Sequence, residues 1–97
     1  MNRVELAARV LEAEPLRHTP AGIPVLRLRM EHESEVLEAG LPRKLAFALD
    51  AVALGETASS LGQVLPGSRI RAIGFLAPAR QGSNRLILHI QQVAQAQ

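Results

Sequence analysis

The side chains best suited to chemistry in this sequence are its arginines, and the chemistry they favour is the binding of negatively charged groups. The chain has 97 residues with eleven basic and nine acidic side chains, and ten of the basic ones are arginine. A guanidinium group stays charged at physiological pH and can pair with phosphate through two parallel N–H groups. A net charge of +2 is, on its own, weak evidence for an anionic partner. Clustering of the arginines on one face decides what they can bind.

Two pairs of arginines stand where they could reach a ligand. Arg27 and Arg29 alternate with apolar residues directly after the rigid segment "HTPAGIP", so they form the outer row of a half-buried strand. Arg80 and Arg85 flank the polar segment "PARQGSN", which is typical of a hairpin tip. The alternative for each pair is that it only solubilises an exposed surface.

The sequence offers no recognisable catalytic or metal-binding set. It contains no cysteine, which removes disulfides and thiolate metal ligands. Its three histidines show no ligand spacing, whereas catalytic zinc needs three converging protein ligands. Asp50 is the only aspartate, no glycine elbow surrounds a serine, and "GQVLPGS" lacks the lysine of a phosphate-binding loop. We therefore expect neither catalysis nor a cofactor.

The elements that position the arginines are predicted to be strands. Apolar and polar residues alternate with a period of two in five segments, which is the pattern of strands with one buried face. The predicted strands are Arg3–Leu11, Ile23–His32, Arg43–Ala53, Arg69–Ala77 and Arg85–Val93.

The segments between these strands carry weaker signals. The acidic stretch "EHESEVLEAGLP" (31–42) fits either a short helix capped by Ser34 or a solvated loop, and we favour the loop because almost no apolar stripe runs through it. Thr57–Leu61 fits one short helical turn. Gly74 inside a strand predicts a bend or bulge, and the tail 94–97 is expected to fray.

Together these features predict one all-β domain spanning residues 1–97. Five strands with a long connector between the third and fourth favour a five-stranded Greek-key barrel of the OB-fold type. Another five-stranded barrel or sandwich, such as an SH3-like one, stays open at this point. Few aromatic residues make the core thin, so oligomerisation is expected. The charged N-terminus and the lack of a long apolar run predict a soluble, cytoplasmic protein without a membrane anchor.

Several segments in order along the chain resemble the primosomal replication protein N (PriB) family, which is related to bacterial single-stranded-DNA-binding proteins. These segments are "NRVELAARV", "PLRHTPAGIPVLRLRMEH", "EAG" at 38–40, "GSRIRAIGFL" at 67–76 and "LILHIQQV" at 86–93. The resemblance covers nearly the whole chain. It implies an OB fold, a homodimer that binds single-stranded DNA, and contacts with the PriA helicase and commonly with DnaT during replication restart.

Carried over residue by residue, the resemblance completes the candidate nucleic-acid-binding set. His18 falls where a lysine is often seen, Arg43 matches a basic position, and Lys44 adds a charge beside it. Three positions depart from the family pattern, because Glu33 replaces a basic residue while Ala46 and Leu41 replace aromatic ones. The full set is His18, Arg27, Arg29, Arg43, Lys44, Arg80 and Arg85.

These departures leave two functional hypotheses. The first is a non-enzymatic factor that binds single-stranded DNA through phosphate contacts and presents it to the helicase. The second is an interaction module that docks on the helicase with little DNA affinity of its own. Loss of aromatic stacking, which contributes ~1–3 kcal/mol per base, favours the second hypothesis, whereas the retained basic residues favour the first. Phe47, one residue from the missing aromatic at Ala46, is predicted to lie in the core.

Overall fold

The backbone of residues 1–95 is described by a computed structural model as six strands and one short helix. In chain order they are β1 (Val4–Ala13), β2 (Arg17–His18), β3 (Pro24–Glu38), β4 (Leu41–Leu54), α1 (Glu56–Leu61), β5 (Arg69–Pro78) and β6 (Leu86–Gln95). Part of the tail predicted to fray is the end of β6, and residues 96–97 lie outside the described residues. Within residues 1–95, no helix is long and apolar enough to cross a membrane.

The five long strands close into a barrel. Following the hydrogen-bonded neighbours, the order β1-β3-β4-β6-β5 returns to β1, because β1 pairs with both β3 and β5. The pairings are antiparallel except for β4 with β6, which is parallel over three residue pairs beginning at Ala51 and Leu88. The two-residue strand β2 adds to the start of β3. This closed order is that of the OB fold, so the predicted all-β, five-stranded barrel is confirmed.

The alternating apolar rows fill the interior of the barrel. The largest fully buried side chains are Val10, Leu26, Met30 and Leu88, which come from three strands, β1, β3 and β6. The helix α1 lies against β3, β4 and β6 and adds Ala58 and Leu61 to the same core. Since the row Leu26, Leu28 and Met30 faces inward, the intervening arginines of β3 face outward, as predicted.

Segment 31–42 is a hairpin, so the prediction of an acidic loop was wrong. β3 and β4 pair without a break from Val25 opposite Leu54 to Glu38 opposite Leu41. The connection is a two-residue turn in which Ala39 (φ 53°) and Gly40 (φ 78°) both have positive φ. Positive φ at both central residues is the geometry of a type I′ turn, whose twist matches that of paired strands.

The outer half of this hairpin, residues 32–47, is here called the hairpin arm. On the backbone, the arm strands pair only with each other in the described residues, because β1 meets β3 no further than Glu31 and β6 meets β4 only from Ala51 onward. Both faces of the arm are therefore more exposed than the barrel strands. This explains why segment 31–42 lacks the apolar stripe that would have identified it as a pair of strands.

Phe47 lies in the arm, so its predicted place in the core was wrong. It shares the row of Leu49 and Ala51, which does face the core lower down, but its side chain is 42% exposed. Its ring lies 5.1 Å from that of His32, its cross-strand neighbour. His32 in turn donates a hydrogen bond from Nδ1 to the carbonyl oxygen of Ala7, 2.6 Å away, and so ties the base of the arm to β1.

Other local predictions were confirmed. The helical turn expected at Thr57–Leu61 is α1. The register between β5 and β6 shifts between Ile73 and Gly74, which is the predicted bulge. A Cβ at Gly74 would overlap the carbonyl oxygen of His89, so the close approach of two backbones requires glycine here.

Candidate nucleic-acid interface

A groove opens on the outer face of the barrel, between the sheet and the loop that joins β5 to β6. Its volume is about 410 Å³. It is lined by the end of β1, by parts of β3 and β4, by the β5–β6 connection and by the start of β6. Its charged side chains are Arg27, Arg29, Arg85, Glu12, Glu14 and Asp50. Three residues predicted from the sequence, all of them arginines, are therefore brought together from two separate segments of the chain.

Two of these arginines are engaged by a single carboxylate. Arg29 donates from Nη1 to Oδ1 of Asp50 at 2.9 Å, and Nη2 of Arg85 pairs with Oδ2 of the same group. Arg29 and Asp50 are direct cross-strand neighbours, whereas Arg85 reaches Asp50 from the end of the β5–β6 loop. The Asp50 side chain is only 26% exposed, against 45% for Arg29 and 65% for Arg85.

Arg27 differs from these two arginines. No carboxylate lies within 4 Å of its guanidinium group in the described part of the chain, although it lines the same groove. Three arginines against three carboxylates leave the charged lining with no net formal charge. The electrostatic attraction of the groove for an anion therefore depends on which arginines can leave their carboxylates.

The other four predicted residues lie outside the lining of the groove. His18 is exposed on β2, opposite Pro24, and Arg80 is exposed in the β5–β6 loop. Lys44 lies on the arm opposite Glu35. Arg43 also lies on the arm, where it pairs with Glu38 at 2.8 Å. It belongs to the row that continues the core face, so it points away from the face that carries the groove arginines.

An aromatic pair lies on the same face of the sheet as the groove. Cross-strand partners place Arg27, Val52, His89 and Phe75 in one row on neighbouring strands. The rings of Phe75 and His89 are stacked with centroids 4.9 Å apart and planes 10° from parallel. Both side chains are half-buried. This surface is a candidate for contact with bases. The sequence analysis did not predict it, because the resemblance points to aromatic positions at Leu41 and Ala46 instead.

The groove and the aromatic pair have the chemistry of a binding surface. Guanidinium groups supply phosphate contacts, and half-buried rings supply contact area for bases. Within residues 1–95, no group of three or more histidine, aspartate or glutamate side chains is placed to hold a metal ion.

Sequence reasoning missed the acidic side of the groove. Glu12 and Glu14 follow the predicted end of the first strand, and Asp50 enters the sequence analysis only as a candidate catalytic residue. The signal for Asp50 was available, because a two-residue turn at 39–40 sets a register that pairs Arg29 with Asp50.

Comparison with known proteins places the chain in a family. A family model described as "another single-strand binding protein family" matches residues 2–92. The replication restart protein PriB of Bordetella pertussis is 52% identical over 92 residues, which are 95% of this chain and 86% of that protein. The chain belongs to the PriB family. PriB of Nitrosomonas europaea is a more distant relative, 32% identical over 93% of this chain and 83% of its own length.

Solved structures agree with this assignment. PriB of Ralstonia solanacearum superimposes with a TM-score of 0.89 at 31% identity, over all of this chain and 99% of that one. The single-stranded DNA binding protein of Thermus aquaticus has a TM-score of 0.77 at 20% identity, over all of this chain and 50% of that one. This second likeness supports the OB fold alone, and the PriB family membership rests on the closer relatives.

Proposed function

We propose that the protein binds single-stranded DNA without catalysing a reaction, and that it acts in replication restart in the cytoplasm. The observation that carries this proposal is the convergence of Arg27, Arg29 and Arg85 on one groove in a PriB-family barrel. In OB folds, this face and the loop between the last two strands form the usual surface for oligonucleotides.

Contacts to phosphates supply most of the affinity in this proposal. Each phosphate neutralised on a single strand contributes roughly −0.7 to the slope of log affinity against log salt. The predicted contacts at His18, Arg43, Lys44 and Arg80 lie outside the groove, so a longer strand would be needed to reach them. Stacking on the Phe75 and His89 surface adds contacts that do not depend on salt.

Fluorescence anisotropy of a labelled oligothymidine, titrated with protein at two salt concentrations, tests this function. We expect salt-sensitive binding that is weaker in the Arg80→Ala/Arg85→Ala double variant. Absence of binding at low salt by protein that is folded in circular dichroism would reject DNA binding and leave the docking function described below.

The proposal includes a homodimer. Val4–Ala8 of β1 pair with β5 on one side, and in the described residues no strand pairs with their other edge, because pairing with β3 begins at Arg9. An open strand edge is a template for a second chain. Size-exclusion chromatography with light scattering should give a mass near twice the 10.5 kDa of one chain, and a monomer at micromolar concentration would reject the dimer.

The proposed partner in replication restart is the PriA helicase, with DnaT as a further partner. Support comes from family membership, since the named relatives are replication restart proteins. Binding of purified PriA to the immobilised protein, with and without oligothymidine, tests this contact. No PriA binding under either condition would reject it.

Docking on the helicase with little DNA affinity is the second candidate function. The hairpin arm favours it, because the arm and its turn carry the exposed apolar side chains of Leu37 (78%) and Leu41 (69%) beside Glu33, Glu35 and Glu38. Arg43 pairs with Glu38 on the arm, but the three glutamates still outnumber the two basic residues, Arg43 and Lys44. An apolar tip with this negative balance fits a basic protein surface. Loss of PriA binding in Leu37→Ser/Leu41→Ser, with DNA binding retained, would support this function.

A further inference from the structure

Asp50 stands in the groove as the group that two arginines already bind. Both of its carboxylate oxygens are used, one by Arg29 from the sheet and the other by Arg85 from the β5–β6 loop. The carboxylate therefore spans the groove from one wall to the other. Its low exposure, 26%, shows that the two guanidinium groups and their surroundings cover most of it.

The backbone fixes this arrangement. Asp50 is held opposite Arg29 by the β3–β4 register, and both face outward because their neighbours Met30 and Ala51 face the core. Arg85 is held at the loop end, where its carbonyl oxygen accepts a hydrogen bond from the backbone N–H of Ala79 at 2.8 Å. Strand pairing and loop closure thus bring both arginines to the carboxylate.

A carboxylate bound in this way resembles a bound phosphate. Each presents anionic oxygens to guanidinium N–H donors, and arginine pairs with both groups through the same geometry. Resting on the DNA-binding function proposed above, we propose that Asp50 is an internal competitor for the backbone phosphate, which holds Arg29 and Arg85 and lowers the affinity for single-stranded DNA.

This competition has two measurable consequences. A phosphate that binds Arg29 or Arg85 must displace Asp50, so the wild-type protein exchanges one ion pair for another and gains little. The displaced carboxylate also recruits a cation from solution, which offsets part of the counterion release that drives binding. Removing the negative charge of Asp50 should therefore raise the affinity and steepen the salt dependence.

The test is oligothymidine binding by Asp50→Asn, which keeps the shape of the side chain and removes its charge. Freeing two arginines from exposed ion pairs with Asp50 should tighten binding by roughly 2- to 30-fold. The log–log salt slope should become steeper by about 0.7, equivalent to one phosphate contact.

Two variants with the same charge change serve as controls. Glu5→Gln removes a carboxylate that lies outside the groove and pairs with Arg71 at a distance of 3.5 Å. This variant should change the affinity for oligothymidine less than twofold. Glu12→Gln removes a carboxylate that lines the groove but pairs with no arginine in the described residues. Its affinity for oligothymidine should lie between those of Glu5→Gln and Asp50→Asn. Thermal unfolding of each variant confirms that the barrel is intact.

The outcomes separate this inference from the proposed function. Tighter and more salt-sensitive binding by Asp50→Asn than by either control supports the competitor. If the wild type binds in a salt-sensitive way and Asp50→Asn leaves that binding unchanged or weakens it, the proposed role of Asp50 is overturned while the DNA-binding function stands. Failure of both folded proteins to bind at low salt overturns the DNA-binding function, and the competitor with it.

Discussion

The substitution Arg27→Ala should weaken single-strand binding more than the loss of one surface charge normally does. Arg27 lines the groove and has no carboxylate partner in the described residues. A phosphate placed beside it forms a new charge-assisted contact without breaking an existing one. This distinguishes it from Arg29 and Arg85, which must first release Asp50.

The size of the effect follows from this contact. Hydrogen bonds to charged groups contribute about 1.5–3 kcal/mol when well shielded, and exposed ion pairs about 0.2–1 kcal/mol. Arg27 is exposed at the rim of the groove, so a loss of about 1–2 kcal/mol is expected, which corresponds to a roughly 5- to 30-fold rise in Kd. The log–log salt slope should become shallower by about 0.7.

Anisotropy of a labelled oligothymidine at several salt concentrations measures both quantities. Arg71→Ala is the matched control, because it removes the same charge from an arginine that lies outside the groove and pairs with Glu5. Its Kd should change less than twofold. The reasoning is refuted if Arg27→Ala binds within twofold of the wild type, or if Arg71→Ala loses as much affinity as Arg27→Ala.

Three further predictions concern stability and the arm. Gly74→Ala should lower the unfolding free energy in urea by about 2–4 kcal/mol, because its Cβ would overlap the backbone of β6, whereas Gly62→Ala, with an ordinary helical φ of −60°, should change it by less than about 1 kcal/mol. Met30→Ala should cost about 2–5 kcal/mol in the same assay because Met30 is fully buried, and Leu37→Ala on the exposed arm should stay within about 0.5 kcal/mol; equal losses would contradict the assignment of the core. Arg43→Ala should leave the Kd of a short oligothymidine unchanged and weaken binding of a longer one, and a loss that is independent of length would place Arg43 at the groove instead.

Most of the barrel could be predicted from the sequence because its strands have one buried face. In β1 and β3, the apolar residues that alternate in sequence are those that lie inward. The rigid segment "HTPAGIP" is a tight turn in the structure, since the backbone N–H of Gly22 donates a hydrogen bond of 2.8 Å to the carbonyl oxygen of Thr19. These features are local, so a single sequence contains all the information that they need.

The outer part of the hairpin arm, residues 33–42, could not be predicted in the same way. Its strands are held by backbone hydrogen bonds between themselves and have no barrel wall behind them, so selection for a buried apolar row is weak. Phe47 shows a different limit of periodicity. Its alternation with Leu45 and Leu49 correctly predicts which residues share its row, but it does not tell whether that row still faces the interior at Phe47. Periodicity identifies which residues share a face, and only the extent of neighbouring strands determines where that face becomes exposed.

The candidate site was predicted in part, because side-chain pairing across strands depends on register. The sequence predicted which arginines face outward, and the groove does collect Arg27, Arg29 and Arg85. It did not predict that Asp50 binds two of them, because a loop over segment 31–42 leaves the register between β3 and β4 undefined. Once Ala39 and Gly40 are taken as a two-residue turn, the pairing of Arg29 with Asp50 follows. The charge balance of the groove, and with it the expected affinity for a polyanion, is thus encoded in a turn far along the hairpin from the groove itself.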